Sequence, residues 1–180
     1  MYFLIILVGL LCVILSFHLL NIEGTTRRKR YHKKLGHRAI LVHTGKVGED
    51  GREIVNRYPV VSARLSFGRK PRISPLRVDI PGPVEDKTLS HYAATFYYND
   101  YGEFCIHRSC KKIWVCNADA TDITVLKDGG AMESEEIPEL FRIPGYSSSY
   151  REYDRDIRLE VWDHLLIGNT HLEYVEVNYA

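Results

Sequence analysis

Hydrophobic and polar residues alternate with a period of two over much of the chain beyond residue 59. Short runs rich in Val, Ile, Tyr and Phe recur between turn residues, which is the pattern of an all-β sandwich or barrel. In the run HLEYVEVN (171–178), Glu173 and Glu176 interrupt the apolar positions, as expected for a strand with one face on a core and one in water. No long amphipathic helix is predicted after residue 22.

About eight to eleven strands are predicted in this way. The clearest runs are VVSARLSF (60–67), LRVDI (76–80), YAATFYY (92–98), EFCIH (103–107), KIWVC (112–116), ITVL (123–126), DIRLEV (156–161), HLLIG (164–168) and HLEYVEVN (171–178). Residues 36–58 have one short apolar run and a turn-rich centre, so we predict a linker containing a small hairpin. Residues 134–154 are predicted to be an excursion loop, whose tyrosines contact a partner or cover the sandwich edge.

The first 22 residues contain no charged side chain apart from, potentially, His18. At about 1.5 Å per residue, roughly 20 helical residues cross a hydrocarbon core of about 30 Å, so Tyr2 to Ile22 is long enough to span a membrane. The alternative is a cleaved signal peptide, but the run lacks a basic start and a small-residue cleavage site. We therefore predict a transmembrane helix in residues 1–22.

Basic residues follow this span at once, in TTRRKRYHKK (25–34). Positive charge beside a span tends to stay cytoplasmic, so we predict a single-pass protein with a cytoplasmic C-terminal domain. Residues 1–38 carry a net charge of about +6 and the remainder about −5, and an acidic domain argues against a nucleic-acid partner. The predicted divisions are a span (1–22), a basic juxtamembrane segment and linker (23–58) and one domain (59–180).

The four cysteines, Cys12, Cys105, Cys110 and Cys116, lack the paired spacing of a zinc knuckle. A zinc site that includes His107 is conceivable, but Cys105 and Cys116 lie in apolar strand-like runs, which favours buried reduced thiols.

No motif of a catalytic site is present. The sequence contains no G-x-x-x-x-G-K-[ST], no G-x-S-x-G and no H-E-x-x-H. Six histidines are dispersed along the chain and are predicted to be surface or packing residues: His32, His37, His43, His107, His164 and His171. We therefore predict no catalytic residue, no metal site and no cofactor.

Four short blocks occur in order along the domain. They are Gly68-Arg69, Asp79-Ile80, Ser90-His91-Tyr92-Ala93 followed by Ala94, and Trp162-Asp163-His164-Leu165-Leu166-Ile167-Gly168. Their order and separation resemble a forkhead-associated (FHA) domain over residues 59–178, as in membrane-anchored bacterial FHA proteins. The resemblance implies an all-β, FHA-like sandwich of about eleven strands, preceded here by one transmembrane helix.

FHA domains generally bind phosphothreonine peptides, and the resemblance implies which residues do so here. Arg69 and Ser90 would bind the phosphate oxygens, because a guanidinium matches phosphate bidentately and a hydroxyl can donate to a third oxygen. His91 would supply further charge, and Lys70 would strengthen the local positive field.

Three positions depart from the family pattern. His91 replaces an arginine or lysine, and a histidine side chain carries full charge only in acid. Ala93 replaces the histidine that buttresses the serine loop. In the run where the family uses an asparagine to hold the peptide backbone, our register places Asn117 and Asp122, although Asn117 or another loop residue could take that role and an ionised Asp122 cannot donate a hydrogen bond.

The resemblance implies a membrane-tethered module, with residues 2–22 in the membrane, that recognises phosphorylated proteins in signalling or in assembly of a membrane or cell-envelope complex. Tethering would raise the effective concentration of membrane partners. The alternative is a phosphate-independent scaffold subunit of a membrane complex, in which Arg69 and Ser90 only stabilise loops.

Overall fold

A computed structural model describes residues 11–16, 35–69, 79–119, 121–127, 136–142 and 149–177. Its strands are β1 (Arg38–Val47), β2 (Glu53–Pro59), β3 (Arg64–Arg69), β4 (Ile80–Gly82), β5 (Ala94–Tyr98), β6 (Phe104–Arg108), β7 (Lys112–Cys116), β8 (Ile123–Lys127), β9 (Tyr150–Tyr153), β10 (Asp156–Arg158), β11 (His164–Ile167) and β12 (Thr170–Glu176). They form a seven-stranded sheet, β2-β1-β12-β11-β7-β8-β9, and a five-stranded sheet, β10-β6-β5-β3-β4. The prediction of an all-β, two-sheet fold is confirmed.

The core lies between the two sheets. Ile40 and Leu172 from the larger sheet and Phe67 and Phe96 from the smaller one are fully buried in it. Alternate residues along β1 and β12 supply these positions, because successive side chains of a strand point to opposite faces. The predicted period of two therefore marks which face of each strand is in the core.

A second apolar cluster covers the outer face of the seven-stranded sheet, around Trp114 and Val125. A 3-10 helix, Glu139–Phe141, places Phe141 in it, and the ring of Tyr150 in β9 meets Trp114 edge-on at 5.3 Å. Residues 134–154 were predicted to be a loop. Their described part contains the edge strand β9, parallel to β8, and covers the sheet.

The prediction that residues 36–58 form a linker is wrong, although the hairpin predicted within them is present. β1 pairs along five residues with β12, and β2 pairs with β1, so the sheet already begins at Arg38. Only the first half of β1 is buried, because a register shift between His43 and Val47 turns the second half outward. The exposed second half lacks alternating apolar residues, so the sequence did not indicate a strand of this length.

Little of the predicted span lies in the described part of the chain. Residues 11–16 are helical and exposed, and the remainder of residues 2–22 lies outside the described residues, as does the basic segment 25–34. Within the described ranges, no helix is long and apolar enough to cross a membrane.

Candidate functional site

The end of β3 packs directly against the backbone of Ser90 and His91, in the segment that precedes β5. The backbone N–H of Arg69 donates to the carbonyl oxygen of Ser90 at 2.9 Å. A Cβ atom on Gly68 would lie 2.1 Å from the carbonyl oxygen of His91, so only glycine allows this approach. The close contact places Arg69 beside the Ser90 loop.

Ser90 and His91 are exposed at this end of the sandwich, and Arg69 is partly exposed. The Nδ1 atom of His91 lies 3.3 Å from the carbonyl oxygen of Arg69. The structure thus brings these three predicted residues together, while their role in binding stays a prediction. Lys70 lies outside the described residues.

Asp86 links the loop that contains Ser90 to the β11–β12 turn. Its carboxylate accepts hydrogen bonds from the N–H and the hydroxyl of Thr88 at 2.9 and 2.5 Å, from the N–H of Asn169 at 2.9 Å and from the hydroxyl of Thr170 at 2.7 Å. Burial alone would raise the pKa of Asp86, but these hydrogen bonds outweigh it and lower the pKa. Asp86 therefore supplies the loop support that Ala93 lacks.

Sequence reasoning missed Asp86. The available signal was an aspartate two residues before Thr88 in a turn, the spacing at which an Asp side chain often accepts a backbone hydrogen bond. Its contacts with the β11–β12 turn could not be seen in the sequence, because residue 169 is 83 positions further along the chain.

The β6–β7 hairpin forms the other side of the site. The carbonyl oxygen of Ala93 accepts hydrogen bonds from the N–H groups of Ser109 and Cys110 at 2.9 and 3.0 Å. A cleft of about 570 Å³ lies between the Ser90 loop, this hairpin and the β11–β12 turn. Its polar and charged lining includes Ser90, Lys111, Lys112 and Asn169.

The register that grouped Asn117 and Asp122 with Ser90 is corrected. These residues follow β7 at its Cys116 end, whereas the opposite end, at Lys112, lines the cleft. Five strand residues separate the two ends by about 13 Å. The run after Trp114 had been matched by residue type, but β7 carries it to the far end of the sandwich.

At that far end, both side chains are used within the β7–β8 turn. The side-chain oxygen of Asn117 accepts hydrogen bonds from the N–H groups of Thr121 and Asp122, both at 2.9 Å. The Asp122 carboxylate pairs with the guanidinium of Arg151 in β9. Asn117 and Asp122 therefore hold a turn and an edge strand.

Two of the predicted blocks also have structural contacts. Asp79 accepts hydrogen bonds from the N–H and the hydroxyl of Ser66 at 2.9 and 2.8 Å, which fixes the start of β4 against β3. Asp163 accepts the N–H of Glu160 at 2.7 Å, and burial raises the pKa of its carboxyl to about 6. These aspartates build the frame around the site.

Cys105 and Cys116 are buried and free, as predicted. Burial raises the pKa of each thiol to about 11, which keeps both protonated at neutral pH. The Nδ1 atom of His107 lies 3.0 Å from the carboxylate of Asp156, so this histidine has a partner other than a cysteine.

No protein-family model and no curated protein matches this chain. Among solved structures, the FHA domain of the CT664 protein from Chlamydia trachomatis is similar, with a TM-score of 0.41 and 11% identity over 78% of this chain and 98% of that one. Full-length yeast Pml1p has a TM-score of 0.44 and 14% identity, covering 78% and 81%. Mycobacterium tuberculosis EmbR in complex with a low-affinity phosphopeptide has a TM-score of 0.37 and 14% identity, covering 79% and 25%.

Proposed function

We propose that this chain is a membrane-tethered, cytoplasmic, FHA-like module that binds phosphothreonine in partner proteins. The observation that carries the proposal is the docking of Gly68–Arg69 beneath Ser90–His91, which puts a guanidinium-bearing residue next to an exposed hydroxyl. The partners would be phosphorylated proteins of a membrane or cell-envelope complex. The module recognises them and has no catalytic role.

The chemistry of the site fits a doubly charged phosphate. The Arg69 guanidinium can donate two hydrogen bonds to phosphate oxygens and the Ser90 hydroxyl a third, and such charge-assisted bonds are about twice as strong as neutral ones. Lys111 and Lys112 add positive charge along the cleft that opens beside Ser90, against one carboxylate in its lining, that of Glu136. The apolar part of the same lining, Pro138 and Leu166, can accept a side chain of the bound peptide.

Tethering is supported by the uncharged run Tyr2 to Ile22 and the basic segment 25–34 that follows it. A basic flank favours the cytoplasmic side, where kinases and their protein substrates occur. Protease digestion of intact cells expressing a C-terminally tagged chain tests this topology. A protected tag is expected, and a tag digested in intact cells contradicts it.

Phosphate-independent binding is the second candidate. It is favoured by the position of Asn117 and Asp122, which are engaged in the β7–β8 turn and the Arg151 ion pair. No contact to the peptide backbone from these side chains is then available at the Ser90 cleft. A scaffold of this kind would bind its partner through the sheet faces or other loops.

The experiment compares Arg69→Ala with Arg64→Ala, a matched exposed arginine at the other end of β3. The full chain in lipid nanodiscs is titrated with phosphothreonine and unphosphorylated peptide libraries by fluorescence anisotropy. Loss of hydrogen bonds to a charged group costs about 1.5–3 kcal/mol, so Arg69→Ala should weaken phosphopeptide binding roughly 10- to 100-fold. Arg64→Ala should leave it unchanged.

Equal binding of phosphorylated and plain peptides between pH 6 and 8 contradicts the phosphothreonine proposal. If a partner recovered from membranes still binds after phosphatase treatment and still binds Arg69→Ala, that result supports the phosphate-independent scaffold instead.

A further inference from the structure

Three histidines and two glutamates meet on the outer face of the seven-stranded sheet. They come from four neighbouring strands: Glu53 from β2, His43 from β1, His171 and Glu173 from β12, and His164 from β11. Residues two apart on a strand share a face, so His171 and Glu173 point outward on either side of buried Leu172. His164 pairs directly with Glu173, and the rings of His43 and His171 stack with centroids 4.2 Å apart.

The candidate ligand atoms of this cluster lie close together. One ring nitrogen each of His43 and His171 and a carboxylate oxygen of Glu173 all lie within 4.8 Å of one another. The Oε1 atom of Glu173 is 3.0 Å from His43 Nε2, 3.8 Å from His171 Nε2 and 3.6 Å from the Nδ1 atom of His164. Ligand atoms of a tetrahedral zinc ion, each about 2.0–2.1 Å from the metal, lie about 3.3 Å apart.

Both ring nitrogens of His43 face carboxylates. His43 Nδ1 lies 3.0 Å from Oε2 of Glu53, and in the tautomer with its proton on Nδ1 the lone pair is on Nε2, 3.0 Å from Oε1 of Glu173. His164 Nδ1 and His171 Nε2, 3.1 Å apart, share one proton at most.

We propose that this cluster is a zinc site, with His43 Nε2, His171 Nε2 and Glu173 as ligands. Imidazole nitrogens and carboxylate oxygens are ligands that suit Zn²⁺. Glu53 orients His43 through Nδ1 and is itself fixed by the backbone N–H of Gly45 at 3.0 Å. The ion would tie β1 and β12 together.

The site is open enough for an ion to enter. The exposed fractions of the side chains are 18% for His43, 19% for His171, 22% for Glu173 and 34% for His164. Its ligands are separated by up to 130 positions in the chain, which explains why their spacing gave no metal-binding motif.

The test uses the full chain without a polyhistidine tag, in detergent micelles, after removal of metals with EDTA. Competition with a chromophoric chelator should show one equivalent of Zn²⁺ bound. With Co²⁺ as a spectroscopic probe, intense visible bands of a tetrahedral site are expected without a thiolate charge-transfer band in the near ultraviolet. A thiolate band would assign the metal to the cysteines and overturn the proposal.

Three variants locate the ion. His171→Gln removes a ligand and should weaken Zn²⁺ binding by 100-fold or more. Glu53→Gln removes only the carboxylate that orients His43 and should weaken binding by roughly 10- to 100-fold. The matched control is His107→Gln, a histidine paired with Asp156 in the five-stranded sheet, which should bind zinc as the unaltered chain does.

Circular dichroism in EDTA checks that each variant is folded. Glu53 lies on the exposed edge strand β2, so Glu53→Gln should remain folded even if His171→Gln does not. Equal zinc affinity in Glu53→Gln, His107→Gln and the unaltered chain would overturn the proposal, as would the absence of stoichiometric binding.

Discussion

The two ends of the sandwich carry similar polar turns but use them differently. At one end, Ser90 and His91 are exposed while Asp86, below them, makes the hydrogen bonds that hold the loop. At the other end, Asn117 itself holds the β7–β8 turn, and Asp122 pairs with an arginine of β9.

A polar side chain is available to a ligand only when another residue holds its loop in place. At the Ser90 end this work falls to a carboxylate and to close backbone contacts, so the hydroxyl and imidazole remain exposed. At the Asn117 end the same side chains both shape the turn and fill their own hydrogen-bonding capacity. The difference makes the first end the candidate site and the second a structural turn.

Gly68→Ala should have the largest effect on the Ser90 end, lowering both the unfolding free energy and phosphopeptide binding. The new Cβ would meet the backbone of His91 at 2.1 Å, and such overpacking costs up to about 3 kcal/mol of unfolding free energy. Phosphopeptide binding should be lost as well, because Arg69 and Ser90 separate. Urea unfolding and peptide titration measure the two effects.

The control is Gly48→Ala, where a Cβ would meet a flexible Asp50 side chain at 3.0 Å and should cost far less. Equal destabilisation by the two changes would show that the approach of β3 to the loop is unimportant.

Asp86→Ala should have the next largest effect, about 2 kcal/mol, because it removes hydrogen bonds to a charged group. The pKa of Asp86 is lowered on folding, so its contribution is present above its unfolded pKa of about 3.9 and is lost as pH falls through the folded pKa. The difference in unfolding free energy between the two chains should therefore be full at pH 7 and shrink in acid. A difference that stays constant down to pH 2 would rule out the carboxylate as its source.

The sequence predicted the strands whose hydrophobic pattern is visible within their own residues. β12 alternates along its length, and β7 and β11 are short apolar runs; all three were predicted within a residue or two. β1 was missed because its exposed half follows a register shift, and β9 because it is an edge strand inside a segment rich in turn residues.

The residues of the candidate sites also fall into two groups, those visible in a short run of sequence and those that depend on the fold. Arg69 and Ser90 were predicted from short blocks of sequence, whereas Asp86, Lys111 and the cluster around His171 depend on which strands are neighbours. Asn117 was placed wrongly because residue type does not show the direction in which β7 runs.

Lys111→Ala and Asn117→Ala sharpen the comparison between the two ends. An exposed lysine beside a bound phosphate contributes up to about 1 kcal/mol, so Lys111→Ala should weaken phosphopeptide binding roughly fivefold. Asn117→Ala should leave binding unchanged but lower the unfolding free energy by about 1 kcal/mol through loss of the turn hydrogen bonds. The reverse pattern would place the peptide at the Asn117 end.

His91→Lys should give the smallest effect and the most specific one. A lysine keeps its charge throughout the neutral range, whereas a histidine side chain loses its charge as pH rises. If His91 contacts the phosphate, the unaltered chain should bind phosphopeptide a few-fold more weakly at pH 8 than at pH 6, and His91→Lys should bind equally at both. Titrations at these two pH values with an unphosphorylated control peptide separate this effect from a general change in charge. A pH dependence that survives the substitution would mean that another group, such as the phosphate itself, is responsible.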